Sequence, residues 1–316
     1  MMVQGDILGV MAALLHDDAA FSLTHFSIHW STVIGIAALA GLYHWRARVG
    51  PTAPPPSSDA PGATPAATDT PTAHAPSAAQ RLAFAAGLAV LFLSLNGPLH
   101  DLSDGYLFSA HMTQHMLLAM AVTPLLIAGT PGWMLRPALR IRAVAAAARW
   151  VTHPPHAFAI FSVTLIAWHL PVLYNTAMAH HGVHIVQHLC FLVASTLLWW
   201  PLMSSMPELP RLSHPKQMLY ALLMMVPMTA VSIFVTYADT VLYTAYAAAP
   251  RVTGLSPLQD QRLGGLIMWI PGSFIVVGVV TVIFFHWAGA EERRDAAERD
   301  ATEQAAAHGA TASGNR

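Results

Sequence analysis

Charge is what this sequence has least of. Asp, Glu, Lys and Arg make up only 10% of its 316 residues, against roughly 25% in a soluble globular domain. So few charges cannot clothe a water-facing surface, which excludes a soluble globular protein. With 55% hydrophobic residues and a mean hydropathy of +0.49, the chain reads as an integral membrane protein. Cysteine is nearly missing as well. The lone Cys190 excludes an intrachain disulfide and any cysteine-based metal motif, and its place in an apolar run makes it a core thiol. Met1 to Leu15 carries no Lys or Arg, so a cleaved signal peptide is not expected. No nucleic-acid partner is expected either.

Long apolar runs are abundant. Candidate spans cover about residues 26–45, 82–99, 106–127, 157–174, 183–203, 217–237 and 264–287. Each approaches the roughly 20 apolar residues that a hydrocarbon core of about 30 Å demands of a helix. Pro124, Pro227 and Pro271 lie in or near these runs and should bend their helices. Between the first two spans, residues 50–79 are dense in Pro, Ala, Thr and Ser, a composition that cannot bury enough surface to order itself.

The basic residues orient the bundle. Arg46, Arg48 and Arg81 flank the linker, and Arg136, Arg140, Arg142 and Arg149 follow span three. Arg211 and Lys216 follow span five, and Arg293, Arg294, Arg299 and Arg316 lie in the tail. Only Arg251 and Arg262 fall on the other side, so thirteen of the fifteen basic residues are cytoplasmic if the N-terminus is outside. The expected architecture is an all-α polytopic membrane helix bundle with about seven transmembrane helices, N-terminus outside and C-terminus cytoplasmic. Its parts are a short periplasmic N-terminus (1–25), a first transmembrane helix (26–45), a disordered cytoplasmic linker (46–81), a six-helix membrane core (82–287) and a charged cytoplasmic tail (288–316).

Ten of the eighteen histidines collect on the outer side of that topology: His25, His29, His100, His111, His115, His169, His180, His181, His184 and His188. His111 and His115 are four residues apart and share a helix face, and so do His184 and His188. At 1.5 Å per residue, His115 and His188 should lie only about 10 Å below the outer surface. For any single histidine the bland reading is an interfacial ring bonded to a neighbour or to water, and His25, His29 and His180 are left there. For the two pairs a metal site is the sharper reading, because two short ligands per helix converge naturally. His181 shares the face of His184, while His100 and His169 can contribute from adjacent helices. Met112 and Met116 tilt the choice of metal toward copper, although methionine on an apolar helix is often plain packing. Haem held axially by facing histidines is the alternative. Asp101, Asp104 and Asp239 make the outer mouth attractive to cations, and Asp260 and Arg262 could pair in the loop before the last span. Tyr174 reads as an interfacial anchor.

At these residues the chain resembles the polytopic cytochrome c oxidase assembly factors of CtaG type. The resemblance is carried by His111, Met112, His115 and Met116 with Pro124, Gly129 and Pro131. It continues in Trp168, His169, Pro171 and Tyr174, then in His184, Gln187, His188 and Phe191 with Trp199, Trp200 and Pro201. It ends in Leu255, Ser256, Pro257, Asp260, Gln261, Arg262, Gly264, Gly265, Trp269, Pro271 and Gly272. The single-span copper chaperone that shares the CtaG name uses cysteine ligands and is a different protein. Many relatives are expected to carry Glu where this chain has Gln187. The resemblance implies a non-enzymatic role in maturing a haem–copper oxidase in the bacterial inner membrane, by supplying copper to oxidase subunits or copper chaperones. A membrane haem protein or metal-dependent oxidoreductase, a copper permease and a metal-free scaffold are the alternatives.

Overall fold

The computed structural model describes residues 26–50 and 75–313, with side chains as far as Thr302. The expected segment 1–25, with His25, and positions 51–74 of the expected linker lie outside the described residues. Every regular element among the described residues is helical. The main helices are α1 (Trp30–Val49), α2 (Ala78–Ser94), α3 (Gly97–Gly105), α4 (Phe108–Gly129), α5 (Arg142–Val151), α6 (Pro154–His169), α7 (Pro171–Ala179), α8 (His181–Met203), α9 (His214–Thr236), α10 (Thr244–Ala247) and α11 (Pro257–Ser313).

Local chemistry sets where several of these helices begin. Ser77 and Gln80 form a reciprocal capping box at α2, each side chain bonding the other's backbone N–H. Ser256 and Gln259 repeat it at α11. Helices α6, α7 and α11 start on proline, whose missing N–H would have no partner in a first turn.

Four helices are long and apolar enough to cross a membrane: α4, α8, α9 and the apolar part of α11. The number reaches six if α2 with α3, bent by 44°, and α6 with α7, bent by 71°, are each one broken span. Helix α1 has 20 residues but is not among them, because its last turns carry His44, Arg46 and Arg48. Large apolar side chains face outward on several of these helices, as Val163, Leu219, Phe274 and Phe285 do at 60–73% exposure. Such a surface suits lipid and not water. Helix α11 runs on to Ser313, so the charged tail continues the last helix; its residues from Glu291 to Thr302 are exposed.

The bends have backbone causes. Gly97 holds φ +67° between α2 and α3, and a side chain there would strike the Phe26 ring. Leu170 is held extended by the proline that follows it, so α6 stops and α7 restarts at a steep angle. Helices α3, α7 and α10 each join the end of one long helix to the start of the next. All three therefore cover the same end of the bundle, which is where α4 and α8 begin.

Helix α4 is the central element. It packs along α11, α2 and α8. Pro124 cannot donate a backbone hydrogen bond, and α4 widens into a π turn at Leu118–Val122 just before it. The Ala119 carbonyl there accepts the Trp199 indole N–H of α8 at 2.8 Å and the Thr123 hydroxyl at 2.7 Å. That indole bond sets the register of the two histidine-bearing helices. At the start of α4, the fully buried Asp260 of α11 accepts the backbone N–H groups of Phe108 and Ser109 and the Ser109 hydroxyl. A carboxylate facing a helix N-terminus is stabilised by its unpaired donors and its dipole. The expected pairing with Arg262 gives way to this cap, and Arg262 reaches the Ala238 carbonyl instead. Gly264 allows the close approach of α11, since a Cβ there would meet the Phe108 ring.

Candidate metal centre

Helices α4 and α8 present their histidine pairs to each other under the three short helices. One ligand atom from each of His111, His184 and His188 lies within 4.8 Å of the others. An ion about 2.1 Å from each nitrogen would set the nitrogens roughly 3.4 Å apart. Small side-chain rotations would close that difference. His111 is fully buried, His115 and His184 are 5% exposed, and His188 is partly buried.

Which nitrogens are free follows from the hydrogen-bond partners. The Tyr246 hydroxyl has a single proton, and it goes to the Ser103 carbonyl at 2.6 Å, because a carbonyl can only accept. At 3.0 Å, His111 Nδ1 must then be the donor to Tyr246, which leaves its Nε2 as a bare lone pair. His115 Nε2 lies 2.9 Å from that lone pair and donates to it, so His115 Nδ1 is bare in turn. His169 donates Nδ1–H to the Leu165 carbonyl at 2.7 Å and keeps Nε2 bare. His184 directs Nδ1 toward Asp104 at 3.6 Å, which turns its Nε2 inward. Four imidazole nitrogens, His115 Nδ1 and the Nε2 atoms of His169, His184 and His188, are buried with no hydrogen-bond partner among the described residues. Burial pushes the Tyr246 phenol well above its ordinary range, so this hydroxyl keeps the proton that sets the series.

The other expected ligands sit elsewhere. His100 is buried one layer out. Its Nδ1 accepts the Gln114 amide at 3.0 Å and its Nε2 faces Asp104 at 3.4 Å. His181 is exposed, about 6.4 Å in ring separation from His29, which in turn lies edge-on to His100 at 4.0 Å. Met112 is fully buried in the apolar core beside Gly264. Met116 lines a small cavity together with His115 and His169. Gln187 is 1% exposed, and neither polar atom of its amide has a partner among the described residues. Cys190 is partly buried.

Two participants are not evident from histidine spacing. Asp104 joins His100 and His184, and its place four residues after His100 was the available sign. Tyr246 leaves no such sign, since it lies more than a hundred residues from the histidine it orients. Tyr174 is fully buried against Tyr243 and Tyr246 and is no interfacial anchor. Its ring packs on Phe108 and lies 5.3 Å from the ring of His111, and the Tyr243 hydroxyl donates to the His169 carbonyl at 3.0 Å.

Residues 62–290 match the family described as cytochrome c oxidase caa3 assembly factor (Caa3_CtaG). The chain is also similar to uncharacterized proteins of Mycobacterium bovis and Mycobacterium tuberculosis. Each is 28% identical over 214 residues, which is 61% of this chain and 32% of the relative. An uncharacterized protein of Mycobacterium leprae is 23% identical over 59% of this chain and 31% of its own length. The aligned part thus spans about a third of these curated relatives. No solved structure matches.

Proposed function

Because the chain belongs to the cytochrome c oxidase caa3 assembly factor family, we propose that it helps to mature a haem–copper oxidase in the bacterial cytoplasmic membrane by holding copper and passing it on. The role is non-enzymatic, and copper is cargo. The observation that carries copper, beyond assembly alone, is the set of four buried imidazole nitrogens left without partners. An unpaired buried polar atom costs about 1–3 kcal/mol, so four such nitrogens on neighbouring histidines call for ligands. Neutral imidazole is a ligand for copper. The ring centres of His111 and His184 are 5.3 Å apart and those of His184 and His188 4.3 Å, spacing suited to one ion and too tight for a macrocycle.

We read α1 as a further span, since 20 residues rise about 30 Å. That gives seven spans with the N-terminus outside, and the charge asymmetry of the loops supports it. The histidines then lie near the periplasmic face. Asp104, 31% exposed, and the exposed His181 stand at the entrance and attract a cation. Capture at His111 displaces the His115 donor from its Nε2, and release restores that bond. Capture thus forms copper–nitrogen bonds at the cost of one hydrogen bond, about 0.5–1.5 kcal/mol, and transfer to an oxidase subunit or a copper chaperone exchanges those bonds for the acceptor's ligands.

The test is metal content and an absorption spectrum of the detergent-purified full chain, wild type beside His184→Ala/His188→Ala, with oxidase assembly followed in cells. Copper bound by the wild type and reduced in the folded variant supports the reading. A Soret band would move it to haem. A chain that takes up no copper under replete, reducing conditions, yet still supports assembly, would make it a metal-free scaffold.

A further inference from the structure

A second feature lies deeper along α4, past His115. His115, His169, Met116, Met120, Met228 and Met268 line a small cavity with about 20 Å³ open to the centre of a water-sized sphere. That is enough for a single small guest. By helical rise, its residues sit roughly 10–18 Å in from the starts of α4 and α11. Four of its ten lining residues are thioethers, brought there by three different helices.

The two histidines are prepared for a cation. The relay from Ser103 through Tyr246 and His111 leaves His115 Nδ1 as a bare lone pair, and the Leu165 carbonyl does the same for His169 Nε2. Both rings are at least 95% buried, and neither nitrogen has a partner among the described residues. A ring centre lies about 3.2 Å from an ion that its nitrogen binds, so two rings sharing an ion stand at most about 6.4 Å apart. The His115 and His169 ring centres are 6.2 Å apart.

From this geometry we propose a second site, separate from the His111, His184 and His188 group, that holds one soft monovalent ion, Cu(I), between His115 Nδ1 and His169 Nε2 with thioether support. Neutral nitrogen and sulfur donors in an apolar wall suit a soft ion of low charge and disfavour a hard divalent one. The four lining thioethers are adaptable donors, since methionine repacks easily. His115 belongs to both places: Nε2 faces His111 and Nδ1 is left for the cavity. The proposal deepens the copper reading and rests on it for the identity of the ion.

The experiment loads the detergent-purified full chain with Cu(I) from a buffered chelator and reads stoichiometry and copper X-ray absorption. Wild type is compared with Met116→Leu/Met120→Leu/Met228→Leu/Met268→Leu, which removes every thioether of the cavity, and with His184→Ala/His188→Ala. Leucine conserves volume, so the variant without the four methionines should fold, and a thermal melt checks it. The expected wild type holds about two equivalents with both nitrogen and sulfur scattering. The methionine variant should lose the sulfur signal and about half of the copper, and the histidine variant should keep the sulfur signal. Wild type loaded with copper on nitrogen alone would overturn the inner site and leave the copper reading standing. Sulfur scattering that the leucine variant retains would also overturn it. Wild type that takes up no Cu(I) would overturn both. Copper bound through sulfur, with no loss in the histidine variant, would uphold the inner site and overturn the outer one.

Discussion

Removing the Tyr246 hydroxyl tests the orientation of the whole histidine group, because that one oxygen decides which nitrogen of His111 is bare. In Tyr246→Phe, the His111 Nδ1–H loses its acceptor at 3.0 Å and the Ser103 carbonyl loses its donor at 2.6 Å. Tyr174 loses a partner at 3.2 Å. One orphaned buried donor costs about 1–3 kcal/mol. Part of that is recovered if His111 moves its proton to Nε2 and donates to His115. The recovery removes the lone pair that the metal group needs. The stability loss should therefore be about 2–3 kcal/mol. Copper affinity should fall roughly 10–100-fold, the usual effect of losing a group that orients a ligand. Cu(I) affinity is read by competition with a chromophoric chelator, and stability by thermal unfolding of the same sample. Affinity within about twofold of wild type, with Tm lowered, would show that Tyr246 only packs. The tautomer argument would then fail.

Three other expectations follow from the same contacts. Asp104→Asn removes the carboxylate that faces His184 at 3.6 Å, and should weaken Cu(I) binding by about tenfold in the same competition assay while leaving the fold intact. Asp260→Ala leaves the start of α4 without its buried cap, where three bonds are lost, and should cost about 2–4 kcal/mol in thermal or denaturant unfolding. An unchanged melt would show that water replaces the carboxylate there. Gly264→Ala drives a Cβ into the Phe108 ring, so α11 must shift; the expected loss is about 1–3 kcal/mol with lowered Tm, and a stabilised variant would refute the close approach.

What the sequence determined by itself is what depends on local composition and period. An all-helical membrane protein was legible in its scarcity of charge and in its apolar runs, since both follow from the solvent each segment must face. The pairs His111 with His115 and His184 with His188 were legible because helical spacing puts them on one face. The broken helices were less so. Gly97 and Pro171 are visible as breakers, but a steric preference does not set a 44° or a 71° turn; packing over the bundle end does. Residues whose partners lie far along the chain were illegible. Asp260 caps a helix that starts some 150 positions earlier, Tyr246 orients His111, and His169 faces His115 across a cavity of methionines. Spacing shows which residues share a face. Only the folded bundle decides which nitrogen of each ring is bonded and which is left bare, because a proton on one nitrogen is placed by an acceptor that another helix supplies.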